Sequence, residues 1–301
     1  MPGTGSRSIP HKYQWIAKEA TVAVPYERWG EGPPLLLLPA LSTISTREEW
    51  RAVAERLSTS FAVTLVDWPG FGQSTRPPLR YNRGLYQRFL LSLVRDLFDE
   101  PPAVAAAGHG AGLAVRTASR APDLFSHLAL AAPTWQGPFP TMLGGDRPAW
   151  LSFLYWLIQQ PVVGPALYRR NASRPMLVKM SKQHVFASEN RVTDEWLNAR
   201  YELTQQPGAR YAAAAFITGR LDPAHSREEF LGYLQRTRMP VLLLIPEDAP
   251  NGSGTEMSYM KQLQSVEHRT LPGSLSLHEE FPKQVSDELL AFLPAGKAAV
   301  A

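Results

Sequence analysis

The segment that most constrains this chain is the run Val104-Ala105-Ala106-Ala107, followed at once by Gly108-His109-Gly110-Ala111-Gly112. A short stretch with no polar side chain is the mark of a strand buried on both faces. Glycine at alternate positions then lets the backbone pass through a turn too tight for larger side chains. Ala111 to Ala121 reads as the helix that this turn launches. Other apolar runs of strand length are Pro33 to Leu38, Phe61 to Val66, Leu128 to Ala132 and Val241 to Ile245. Between them, Arg47 to Leu57 sets Trp50, Val53, Ala54 and Leu57 at helical spacing, and Tyr86 to Phe98 does the same with Phe89, Leu90, Leu93, Val94 and Leu97. Val285 to Leu293 is amphipathic as well. Strands alternating with helices predict an α/β chain with a mostly parallel sheet.

Composition narrows the function classes. With 301 residues, 44% of them hydrophobic, the chain can bury a sizeable core as one domain with an insertion. It has no cysteine, which excludes disulfides, thiolate metal sites and a cysteine nucleophile. The seven histidines are dispersed without His-x-x-x-His or His-Glu-x-x-His spacing, so no metal site is expected. Gly108-x-Gly110-x-Gly112 differs from a dinucleotide fingerprint because its third glycine comes one residue early and no acidic residue ends a strand about 20 residues on. No cofactor is expected. The net charge is +4, but basic and acidic residues are interspersed, and no nucleic-acid-binding module is present. No apolar stretch approaches the ~20 residues that span a bilayer. Met1 to His11 is polar, which predicts a cytoplasmic protein.

Two further motifs carry a family resemblance. Asp67-Trp68-Pro69-Gly70-Phe71-Gly72-Gln73-Ser74 follows the second core strand, and Leu277-His278-Glu279-Glu280-Phe281-Pro282 precedes the last helix. With the Gly-rich turn between them, this order resembles the α/β-hydrolase superfamily, near its epoxide-hydrolase and proline-iminopeptidase-like members, over residues 22–135 and 237–294. The resemblance implies an α/β-hydrolase fold, with a mostly parallel central sheet flanked by helices and an inserted helical cap. It implies an opening antiparallel strand pair over Tyr13 to Trp29, a flexible leader at 1–12, core at 13–132 and 239–296, and cap at 133–238. A cap in this fold roofs a pocket at the carboxyl ends of the strands. Ser42, His109, Gly110, Trp135 and Trp156 are the residues expected to line it, and the aromatic-rich cap favours an apolar or amphipathic small molecule.

The same resemblance implies where a triad would stand. Aligned on the G-x-S-x-G elbow, the nucleophile position is Gly110. The histidine that relatives carry falls on Leu275, after Ser274. The acid falls on Ala249, with Asp248 one residue early. The His-Gly that follows the first core strand in relatives is replaced by Pro39-Ala40, while the amides of Leu41 and Ala111 are the expected oxyanion donors. His109 and His278 are the alternative acid–base groups, and Asp67, Ser74 and His225 are read as structural. Departures at nucleophile, base, acid and oxyanion loop together point to loss of hydrolytic chemistry rather than to a single substitution. The expected function is therefore a non-hydrolytic member that binds its ligand in a capped pocket. The alternatives are a lyase, isomerase or cyclase working through His109 or Asp248 and, last, an ordinary serine hydrolase.

Overall fold

The computed structural model describes residues 9–18 and 20–294. Its sheet contains β1 (Ile9–Ala17), β2 (Ala20–Trp29), β3 (Pro34–Leu38), β4 (Ala62–Val66), β5 (Ala103–Ala107), β6 (Leu128–Ala131), β7 (Val241–Pro246) and β8 (Glu267–Leu271). Their spatial order is β1-β2-β4-β3-β5-β6-β7-β8. The β1–β2 and β2–β4 pairs are antiparallel and all the others parallel. The apolar runs become the central strands, whose alternating side chains feed two cores. Leu36, Leu38, Val104, Ala106, Leu128 and Leu130 face one side; Leu35, Leu37, Ala103, Ala105, Ala129 and Ala131 face the other.

Helices cover both faces. They are α1 (Arg51–Leu57), α2 (Arg83–Leu97), α3 (Gly108–Ala118), α4 (Pro138–Met142), α5 (Ala149–Gln159), α6 (Val163–Asn171), α7 (Arg174–Met180), α8 (Asp194–Gln205), α9 (Ala209–Ile217), α10 (Arg227–Gln235), α11 (Asn251–Lys261), α12 (Leu277–Glu280) and α13 (Pro282–Phe292). The first face takes α2, α3 and α10, and the second takes α1, α11 and α13. No described helix is long and apolar enough to cross a membrane.

The insertion begins after β6, and two boundaries differ from those expected. Helix α10 lies within the expected cap segment, yet its Phe230, Tyr233 and Leu234 are buried in the same core as Leu113 and Ala114 of α3. Its apolar stripe belongs to the sheet layer. Strand β1 reaches back to Ile9, paired with Arg28, so residues 9–12 are strand rather than leader. Residues 1–8, and the expected core residues 295 and 296, lie outside the described residues.

The carboxyl ends of β3 and β5 adjoin where the chain order reverses, the place at which open α/β sheets bind ligands. Leu38 is in register with Ala106, so Ala40 and Gly108, each two residues further on, come together just beyond the sheet.

Candidate functional site

Gly108 makes the turn from β5 into α3. Its φ is +49°, and a Cβ built on it would lie 2.9 Å from the Ala40 Cβ. Gly110 does not sit at the apex, contrary to the sequence expectation. It is the third residue of α3 and is absent from the glycines with positive φ. What it provides is close approach, since a Cβ there would lie 2.4 Å from the Pro39 carbonyl oxygen, which accepts a 2.8 Å hydrogen bond from Trp68 Nε1. The elbow is therefore Ala106-Ala107-Gly108-His109-Gly110, two residues earlier than expected, because the left-handed residue marks the apex. The amide after the apex belongs to His109, not to Ala111, which is buried in the core beside Leu113.

A cavity of about 110 Å³ lies over this turn. Ala40, Leu41, Ser42, Gly108, His109 and Leu275 line its floor and walls, and Val185, Trp196, Arg200 and Phe216 reach it from the insertion. Glu49 holds the loop after β3 by accepting the Ala40 and Thr46 amides at 3.1 and 3.3 Å. Asp67 braces the same loop through the Arg47 amide at 2.8 Å and the Arg47 guanidinium at 2.6 Å. On the opposite side, the Ser276 amide donates to the Val185 carbonyl at 2.9 Å, tying the loop that carries Leu275 to the cap. Glu279 receives Arg200 at 2.8 Å and Trp196 Nε1 at 2.9 Å, so the Arg200 charge in the wall is already neutralised. Ser42 spends its hydroxyl on Ser45, 2.7 Å away.

His109 is the titratable group of the expected set that faces the cavity. It is 2% exposed, and neither ring nitrogen has a well-formed hydrogen bond among the described residues; Asp222 Oδ1 lies 3.6 Å from Nε2. Burial first, and the Arg147 charge in addition, push the imidazole down to about 4, against an opposing pull from the Leu221 backbone. It is neutral at physiological pH. Burial pushes the Asp222 carboxyl up to about 7, against the opposing pulls of Arg147 and the Gly137 amide. Sequence reasoning passed over Asp222, Glu49 and Arg200. Asp222 precedes a proline in an otherwise ordinary loop, and Glu49 and Arg200 look like routine charges on amphipathic helices.

The remaining candidates are dispersed. His278 is fully buried against the Trp50 ring, with Nε2 3.4 Å from Glu49 Oε2, and does not line the cavity. Asp248 is exposed and also outside it; Ala249 packs against the second core. Trp135 stacks on Phe230 and donates to Glu256, while Trp156 is 53% exposed beside Phe153, so neither is a pocket residue. The cap aromatics that reach the cavity are Trp196 and Phe216. Ser74 is buried, and His225 sits at the surface against Arg83. No group of three or more acidic or histidine side chains among the described residues is placed to hold a metal ion.

The profile of the alpha/beta hydrolase family matches residues 35–288. A pimeloyl-[acyl-carrier protein] methyl ester esterase from Aeromonas salmonicida is 24% identical over 219 residues, 70% of this chain and 76% of its own. The epoxide hydrolase CorEH superposes with a TM-score of 0.73 at 19% identity, covering 94% of this chain and 98% of its own. The haloalkane dehalogenase DatA from Agrobacterium tumefaciens superposes with a TM-score of 0.70 at 19% identity, covering 94% and 95%. At such identities the structural likeness speaks for the fold.

Proposed function

Because the chain belongs to the alpha/beta hydrolase family, we propose that it is a non-hydrolytic member, one that binds a small, neutral, amphipathic molecule in the cavity over Gly108. The observation that carries this reading is the packing of Ala40 against Gly108. The Ala40 methyl occupies the space that a nucleophile's Cβ would need, 2.9 Å away. Leu275, at the position where relatives place the histidine, lines the same cavity and offers no base. Leu41 and His109 both line the cavity, and their amides are the donors we assign to a carbonyl oxygen there. A cavity of about 110 Å³ takes a group of benzene size or less, or the end of a longer chain. With Arg200 and Glu279 neutralising each other, Glu49 is the charge left in its wall and disfavours a carboxylate, so the polar end of the ligand is an ester, ketone or alcohol.

The test is incubation with ethyl acetate and butyl acetate, followed by ligand-observed NMR, together with fluorophosphonate labelling. Binding of intact ester without turnover or labelling is expected. Stoichiometric labelling at Ser42 or Ser276, or ester turnover above background, would overturn the reading.

His109 favours a second reading, a lyase, isomerase or cyclase without a serine nucleophile. His109 lines the cavity as a neutral imidazole, and a ring turn that brings its buried nitrogens, one of them now 3.6 Å from Asp222, to the bound molecule would let it take a proton. Turnover of any bound ligand that disappears in His109→Gln while binding persists would establish it in place of the first.

A further inference from the structure

A second cleft, of about 650 Å³, has no assigned part in the site above. Lys18, Arg80, Arg83, Arg88, Arg116 and Arg220 line it, and none of these forms an ion pair among the described residues. No aspartate or glutamate lines it. Arg147 also borders the cleft but is paired with Asp222 at 2.8 Å. His225, a further lining residue, contacts Arg83, and its amide donates to Glu229 at 2.7 Å.

Two independent features make this more than a basic surface. Helix α2, 15 residues long, opens into the cleft, with Asn82, Arg83 and Gly84 all lining it. The Asn82 side chain caps the Leu85 amide, which leaves the Arg83 and Gly84 amides without an intrahelical partner. Arg116 is the second feature. It is 7% exposed, fixed by the Pro223 carbonyl and the Tyr233 hydroxyl at 2.7 and 2.8 Å, and its Nε is unpartnered. Burying a guanidinium beside other cations costs free energy unless an anion arrives to offset it.

We infer that this cleft binds a phosphate-bearing anion, held by the α2 N-terminus together with Arg83, Arg88 and Arg116. Free amides at a helix start match phosphate oxygens, guanidinium forks pair with them two bonds at a time, and the acid-free walls supply the field. The volume admits a pyrophosphate group with an organic body. The phosphate has two possible sources, a soluble compound or a lipid headgroup. The second is raised by α5, whose Leu151 and Ser152 line the cleft and which turns Trp150, Phe153 and Trp156 to solvent. Residues 147–188 also hold six of the chain's 31 Lys and Arg and none of its 27 Asp and Glu.

Titration calorimetry of the full chain with inorganic pyrophosphate and with ADP, and flotation with phosphatidylglycerol vesicles, separate the sources. Saturable one-to-one binding, weakened about tenfold or more by Arg83→Gln and by Arg88→Gln and unchanged by Arg269→Gln, is expected. Arg88 makes no hydrogen bond or ion pair among the described residues, so its variant folds as the parent does. Vesicle binding alone, with the same dependence on Arg83 and Arg88, assigns the phosphate to a lipid. Failure of both arms, or binding that neither substitution weakens, overturns the inference. The result is independent of ester binding over Gly108, which reports on the other cavity.

Discussion

Putting a side chain back at position 108 measures how completely the neighbouring loop has filled the vacated space. In Gly108→Ser the φ of +49° is close to the left-handed minimum, and a non-glycine residue there costs about 1–2 kcal/mol. The new Cβ meets the Ala40 Cβ at 2.9 Å, inside ordinary carbon contact distances, and such overpacking costs a further ~1–3 kcal/mol. The single variant should therefore lose about 2–5 kcal/mol in urea denaturation. Ala40→Gly alone should lose about 1 kcal/mol, from a half-buried methyl and added chain entropy. Combined, the two substitutions relieve the clash, so the double variant should be more stable than the sum of the singles by about 1–3 kcal/mol. Additivity within about 0.5 kcal/mol would refute the claim that Ala40 stands in the nucleophile's space. Neither variant should turn over an ester, because Leu275 provides no base. Rapid hydrolysis by Gly108→Ser alone would mean that a base is already in place.

The buried His109–Asp222 pair has opposing pH dependences. His109, held at about 4 in the fold against 6.5 unfolded, contributes stability that is present above pH 6.5 and lost as pH falls toward 4, up to about 3 kcal/mol. Asp222, raised to about 7 from 3.8, does the reverse: its contribution is present below pH 3.8 and lost as pH rises to 7, up to about 4 kcal/mol. In denaturation series from pH 7 to 4, Asp222→Asn should lose stability relative to wild type and His109→Gln should gain it; parallel curves would refute the assignment. Asp67→Ala should cost about 3–5 kcal/mol, since this fully buried carboxylate accepts from Thr46, Arg47 and Gln73 and its loss leaves the buried Arg47 guanidinium only Glu27 and Gln73; a melting temperature unchanged from wild type would contradict that role. Trp156→Ser should alter stability by no more than about 0.5 kcal/mol and leave ligand binding over Gly108 intact, because the indole is 53% exposed; loss of that binding would return Trp156 to the pocket.

The sheet was legible because the runs at 33–38, 61–66, 104–107, 128–132 and 241–245 are largely buried on both faces, which selects apolar residues throughout, with Thr64 the one polar side chain among them. Strand β8 was not legible. Its Glu267-His268-Arg269-Thr270-Leu271 sits at the sheet edge with largely exposed side chains, so hydrophobicity leaves no imprint on it. The insertion was legible as a departure from alternation, but which of its aromatics turn inward depends on how its helices pack, and their spacing alone does not carry that. The site was legible in kind and misplaced in detail. The three alternate glycines match G-x-x-x-G in one register, 108–112, whereas the turn itself stands at 106–110, where the first position is Ala106. Their physical jobs differ: Gly108 supplies the left-handed backbone, while Gly110 lets the Pro39 carbonyl approach. A strand-to-helix turn is fixed by the residue with positive φ, and that residue is identified by where the strand's last pairing falls, here Ala107 against Ala131. Placing the apex at Gly108 also explains Ala40. A methyl in that position favours glycine at the apex and strains any larger residue there, so positions 40 and 108 are coupled by contact and a change at either one constrains the other.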